Sequence, residues 1–215
     1  TLGISLASAT ASDNAGNQAA AAGPSSTFIV DNTGASVSSI SRAGSTPTNA
    51  DSVQFTVVFD ESVQSGTVGT ADFQLDVSGV TGTISGVTGT GTTYTVTVSD
   101  VAGDGTLSID LIDDDSIVDL AGNPLGGTGA ANANFTAGEA YTIDNSAPTF
   151  TIGAPSVTET NTGTITFTIT YTGASSITLA PADVTLLATD TATATVGVSG
   201  TGTETRTVSL TSPSG

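Results

Sequence analysis

The chain repeats itself, and the repeat is out of phase with the chain's own ends. GTISGVTGTGTTYTVTV (Gly82 to Val98) aligns with ATVGVSGTGTETRTVSL (Ala194 to Leu210), and ADFQL (Ala71 to Leu75) with ADVTL (Ala182 to Leu186). The first copy continues into GDGTLSIDL (Gly103 to Leu111), whereas the second breaks off at Ser214-Gly215. The missing element stands at the other end. TLGISL (Thr1 to Leu6) matches TLSIDL, SDNAGN (Ser12 to Asn17) matches VDLAGN (Val118 to Asn123), and FIVDNTGAS (Phe28 to Ser36) matches YTIDNSAPT (Tyr141 to Thr149). Internal repetition of this kind decides domain organisation before any local pattern does. It predicts one whole domain over 32–144 and a second domain split across the termini. Residues 145–215 are its opening strands, and residues 1–31 close the corresponding domain begun in the preceding repeat. Joining Gly215 to Thr1 reads without a seam, so the expected parent is a longer tandem array of which this is an internal piece.

Each half carries the alternation of strands buried on a single face. Ser52 to Phe59, Thr93 to Val98 and Thr164 to Tyr171 set apolar side chains against Thr, Ser or Gln at period two. Gly- and Asp-rich turns recur about every ten residues, as in a sandwich. Thr, Val and Ile abound while good helix formers are scarce. The fold class expected is all-β: two immunoglobulin-like β-sandwich domains in tandem. In the whole domain the runs fall at 36–42, 52–59, 71–77, 80–86, 93–99, 105–111 and 138–143.

Composition narrows function by exclusion. Twenty acidic residues against two basic ones give a net charge of -18, yet only 10% of residues are charged and 37% are apolar. Such a chain is acidic without being charge-dense, and it can bury a core. No His or Cys is present, which removes Cys/His zinc sites, thiol nucleophiles and the Ser-His-Asp triad. Both basic residues are arginines, Arg42 and Arg206, so Schiff-base chemistry and a phosphate-binding basic face are absent too. Disulfides and lysine isopeptide bonds are equally closed off. Asp60-Glu61 is a poor glycosidase pair, since neighbours on a strand face opposite ways. Threonine arrays such as Thr164-Thr166-Thr168-Thr170 fit the solvent side of a strand better than an ice-binding face. The reading is of a structural protein and not an enzyme, with adjacent repeats as partners, no nucleic acid and no membrane insertion by this segment.

At this point IDNSAPT at the junction, NADSVQFTVVFDESV (Asn49 to Val63), TADFQL, GTTYTVTV and DLAGNPL (Asp119 to Leu125) together resemble the bacterial immunoglobulin-like tandem repeats of giant secreted, biofilm-associated surface adhesins. The resemblance covers essentially the whole chain. It implies an extracellular stalk or fibre at the bacterial cell surface that projects an adhesive tip, with calcium stiffening the joints between domains.

Strand parity gives calcium a physical basis of its own. If the first strand of the whole domain runs away from the entry pole, the second returns to it and places Asp60 and Glu61 there. The connection carrying Asp113 to Asp115, Asp119 and Asn123 lies at the same pole, and the linker residues Asp31 and Asn32 enter there. A convergent set of carboxylate and amide oxygens is what Ca²⁺ takes, usually with six to eight ligands. The bland alternatives are turn-capping Asp and Asn residues with Gly16 and Gly122 in a left-handed position, and a solvated acidic loop for Asp113 to Asp115. The second joint is thinner: Asp144 and Asn145 from the linker, Asp13 and Asn17 from the matching loop, and Tyr171-Thr172 where the first copy has Asp60-Glu61. A weaker site, or none, is expected there, with Asp100 and Asp104 as substitute acids. Pro148 stiffens its linker; Ala35 at the equivalent place implies a looser joint. The alternative function is a non-covalent filament in which residues 1–31 complete a neighbour's open sandwich by β-strand addition.

Overall fold

Because its apolar residues recur at every second position, this chain builds sheets throughout. The computed structural model describes residues 1–160, 163–188 and 191–214. Gly215, where the second copy breaks off, lies outside them. The described residues contain two antiparallel four-stranded sheets and form two compact units, Thr1–Asn145 and Ser146–Gly215.

In unit 1 the strands are β1 (Val37–Arg42), β2 (Val53–Val63), β3 (Phe73–Leu111) and β4 (Tyr141–Ile143), in that order across the sheet. At about 3.3 Å per residue the 39 residues of β3 would span about 130 Å if straight. They fold back instead, at Gly89 and Gly91 (φ +142° and +68°) and at Asp100 and Gly103 (φ +55° and +96°). One leg then lies beside β2, with Phe55 opposite Val96, and another beside β4, with Leu107 opposite Tyr141. The first leg runs alongside both: Ser85 Oγ donates to Thr97 O, and Ser108 Oγ to Asp76 O. Where the legs cross, Gly105 (φ +153°) leaves no room for a Cβ against the Ser78 carbonyl.

The runs expected at 71–77, 80–86, 93–99 and 105–111 are therefore parts of one continuous ribbon. The run expected at 52–59 extends to Val63, and only the end of 138–143 is strand.

Period two carries directly into the core. Phe55 and Val57 on β2, Val96 and Val98 on β3, and Leu107, Ile109 and Leu111 further along β3 are all fully buried. Tyr141 meets Phe55 edge to face at 5.2 Å, and Tyr94 meets Phe59 at 5.8 Å. The buried Tyr141 hydroxyl donates to Gln54 O at 2.9 Å and accepts from Gly44 N at 2.8 Å, which satisfies it.

Unit 2 repeats the opening of this plan in the same register. Its strands are β5 (Thr149–Ile152), β6 (Ile165–Thr172), β7 (Thr193–Ser199) and β8 (Thr205–Ser214), ordered β5-β6-β8-β7. Phe167 pairs with Val208 as Phe55 pairs with Val96, and Ile165 with Leu210 as Val53 with Val98. The Gly69 N–H bonds to Asp72 at the 3-10 turn Thr70–Asp72, and Ala180 N–H bonds to Asp183 at Pro181–Asp183. One difference stands out: ADFQL leads into strand, but Val184 to Leu186 of ADVTL do not form one.

Residues 1–31 form a ribbon whose bridges copy those of the unit 1 closing strands. Leu2 pairs with Phe28 as Leu107 with Tyr141, Leu6 with Ala22 as Leu111 with Phe135, and Ser12 with Gln18 as Val118 with Pro124. Burial does not copy. Ile109 is fully buried, whereas its counterpart Ile4 is 72% exposed. Ile109→Ala is therefore expected to cost about 2–5 kcal/mol of unit 1 stability. Ile4→Ala in dilute solution should change it by less than about 0.5 kcal/mol. Hydrogen exchange at the Phe55 and Val57 amides under mild denaturant measures both.

Candidate metal centre

The VDLAGN loop is a turn built around one carboxylate. Asp119 Oδ1 accepts from Ala121 N at 2.7 Å and Asn123 N at 2.9 Å, and Oδ2 accepts from Asn123 Nδ2 at 2.8 Å. Gly122 supplies the left-handed residue at φ +93°. Asp119 N donates to Asn123 O at 3.0 Å, and the bridge between Val63 and Asp119 fastens the loop to the end of β2. Asn123 Nδ2 also reaches Asp31 O at 3.3 Å and Thr33 O at 3.2 Å, tying the linker to the loop.

That arrangement brings three carboxylates from distant parts of the sequence into one place. Asp31 of the linker, Glu61 of β2 and Asp119 of the loop each offer an oxygen within 4.8 Å of the other two, the first exposed, the second half-buried and the third buried. Among the described residues no other group of three acidic side chains converges in this way. The electrostatics agree with the geometry. Burial pushes the Glu61 carboxyl up from its ordinary value, and the charges of Asp31, Asp119 and Asp60 add to the rise. Burial acts on Asp119 in the same direction, but the bonds from the Asn123 side chain and from the backbone of Asn123, Ala121 and Gly122 outweigh it and hold that carboxyl low. Arg42, the basic side chain of this unit, lies with Glu139 at 3.4 Å and not with the three acids.

Other residues expected near this pole take bonds of their own. Asp60 accepts from Ser36 N at 2.7 Å and Ser36 Oγ at 2.6 Å, and those bonds lower its carboxyl; it anchors the start of β1. Asn32 is an exposed linker residue. Asp113 is buried and accepts from Asn132 N, Ala133 N and Asp115 N, while Asp115 accepts from Gly129 N and Asp114 from Ser116 N. That run folds its own loop.

At the other end of unit 1, Asn145 N donates to Asp104 Oδ1 at 2.6 Å and Asn145 Nδ2 to Gly103 O at 2.9 Å. Asp104 thus reaches the linker next to Asp144. Asp13 and Asn17 reproduce the Asp119–Asn123 turn bond for bond, with Gly16 at φ +87°. The observed register aligns Tyr171 with Phe59, so Thr172 and Gly173 stand where Asp60 and Glu61 stand in the first copy. The acid that completes the first cluster has no counterpart there. Sequence reasoning passed over Asp72, whose buried carboxylate joins Gly69 N to Ser116 Oγ at 2.6 and 2.8 Å. Its position three residues after Gly69, before an apolar run, is the signal that would have found it.

Three carboxylate oxygens so placed could hold a hard divalent cation. No protein-family model, curated protein or solved structure matches this chain.

The shifts set the pH dependence. Glu61 has a folded pKa above its unfolded one, so its ionised form is penalised. The penalty is complete above the folded value and is relieved as pH falls towards the unfolded value. Asp60 and Asp119 contribute stability above their unfolded values and lose it as pH falls through their lowered folded values. In metal-free buffer at pH 7, Glu61→Gln is expected to raise the melting temperature by about 1–3 °C. The gain should shrink to nothing as pH drops below about 4. Thermal melts of both chains across pH 3–7 measure it.

Proposed function

We propose that this chain is a structural module of an extracellular stalk or fibre, made of tandem immunoglobulin-like β-sandwich repeats whose joints are stiffened by calcium. In this reading residues 32–144 are the complete domain, residues 1–31 the closing strands of one domain and residues 145–215 the opening strands of another. The observation that carries it is the meeting of Asp31, Glu61 and Asp119 where the linker enters the complete domain. A cation bound there cross-links the linker, the second strand and the closing loop, so it removes bending freedom at the entry. The pairing registers shared by the two copies support the tandem reading, because copies of one repeat pair their strands alike. The bacterial cell surface is the location that accords with the adhesin resemblance.

A ligand that binds only the folded state adds about 2.7 kcal/mol when present at about 100 times its Kd. Calcium is accordingly expected to raise the melting temperature of unit 1 by several degrees over a chelator-treated sample. Asp119→Ala should abolish the rise, and Asp144→Ala should leave it intact. Identical melts with calcium and with chelator would overturn the calcium joint.

A further inference from the structure

Unit 2 has a sheet whose apolar face is only partly covered: Ile169 and Val208 are buried, while Phe167 and Leu210 are half-buried. A cavity of about 620 Å³ lies against it, floored by Phe167, Ile169, Val208 and Leu210 and flanked by Leu179 and Leu186. Phe150 and Ile152 of β5 are 63% and 66% exposed at its rim. In unit 1 the corresponding face is covered by Leu107, Ile109 and Leu111, all fully buried, and by Tyr141. The residues with those sequence positions in the ribbon are Leu2, Ile4, Leu6 and Phe28, and every one is exposed. Within a single chain, then, an apolar face is only partly covered and an apolar ribbon lies exposed.

We infer that residues 1–31 of a second copy of this chain close the unit 2 cavity, so that copies associate head to tail. The inference rests on the split-domain reading above and adds the partner and the register. In unit 1, Ile112 N donates to Asp72 O at 2.8 Å and Ser108 stands opposite Asp76, which sets Asp110 opposite Gln74. Carried over, Ser5 of the second copy lies opposite Thr185, and Val184 to Leu186 become a strand because they gain a partner. Ser116 Oγ, which bonds to Asp72 at 2.8 Å, has Thr10 as its counterpart, and Asp183 awaits it at the matching 3-10 turn. The contact is heterologous: the ribbon of one copy meets a different surface on the next, and the chain so formed stays open at both ends.

The chain has no cysteine, so single-thiol variants test the register directly. Ser5→Cys and Thr185→Cys, both at positions on the solvent side, are mixed under mild oxidation; Ser5→Cys with Ser65→Cys is the control pair. The expected product is a disulfide dimer from the first mixture at least tenfold in excess of the control. Sedimentation of the wild-type chain should show species growing with concentration. Ile4→Asp should remove them while the Phe55 and Val57 amides keep their protection, which shows that unit 1 is folded. A wild-type chain that stays monomeric at about 100 µM, well above the Kd of a stable assembly, overturns the inference. So does association in which the Ser5→Cys and Thr185→Cys chains fail to cross-link, or a Ser5→Cys/Thr185→Cys double variant that cross-links only within one chain. If a peptide of residues 1–31 protects unit 2 amides while whole chains stay monomeric, the split domain stands and only the head-to-tail partnership fails. Calcium and chelator arms of the unit 1 melt report separately on the metal joint.

Discussion

A strand with all its apolar side chains on one face cannot shield them by itself; a second layer of structure has to do so. Everything else in this chain follows from that requirement. Unit 1 meets it by folding one long ribbon back on itself, so that Leu107, Ile109 and Leu111 come to lie over the face that Phe55, Val57 and Val96 present. Unit 2 pairs its strands in the same register and has a cavity beside Phe167 and Leu210. The contrast between ADFQL and ADVTL makes the point at the level of a few residues. Similar sequence enters a strand where a neighbour offers hydrogen bonds and stays irregular where none does. Strand formation here is a property of the pair and not of the segment.

The acidic side chains are organised by a second constraint. With two arginines for twenty acids, most carboxylates cannot find a cation, and they bond to backbone N–H groups instead. Asp13, Asp72, Asp113 and Asp119 each gather two or more donors and in doing so fix a loop. These are charge-assisted bonds, which are stronger than neutral ones. The loops owe their shape to them. Where the linker meets β2 and the VDLAGN loop, charge gathers: Asp119 is buried with its turn, Asp31 arrives with the linker, and Glu61 lies within reach of both at a raised pKa.

Much of this was legible in the residues. The out-of-phase repeat was readable because period-two apolar positions and the AGN turn recur in order, and the bridges of the ribbon follow that alignment one for one. Asp31, Glu61 and Asp119 were readable as neighbours because strand parity places alternate turns at the same pole. Two details were not. Strand ends depend on tertiary pairing, so β2 runs on to Val63 and carries Asp60 and Glu61 inside it, and the second copy aligns one residue away from where the eye puts it. Nor does a run such as Asp113 to Asp115 announce which amides it will meet, since Ala133 and Gly129 reach it only after the intervening loop has closed.

The placement of β1 and β4 has a mechanical meaning. The chain enters the β1–β4 sheet beside Asp119 and Glu61 and leaves it beside Thr48 and Asp104, at the opposite end of the strands. Its first strand is held along β2 by a ladder from Val37–Phe59 to Arg42–Phe55, and its last along β3 from Leu107–Tyr141 to Gly105–Ile143. Tension between residues 33 and 145 would pull along those strands, across hydrogen bonds that run perpendicular to them. Bonds so placed are strained together in shear and not opened one after another like a zip. A fold of this kind resists extension best along the line on which its own chain enters and leaves.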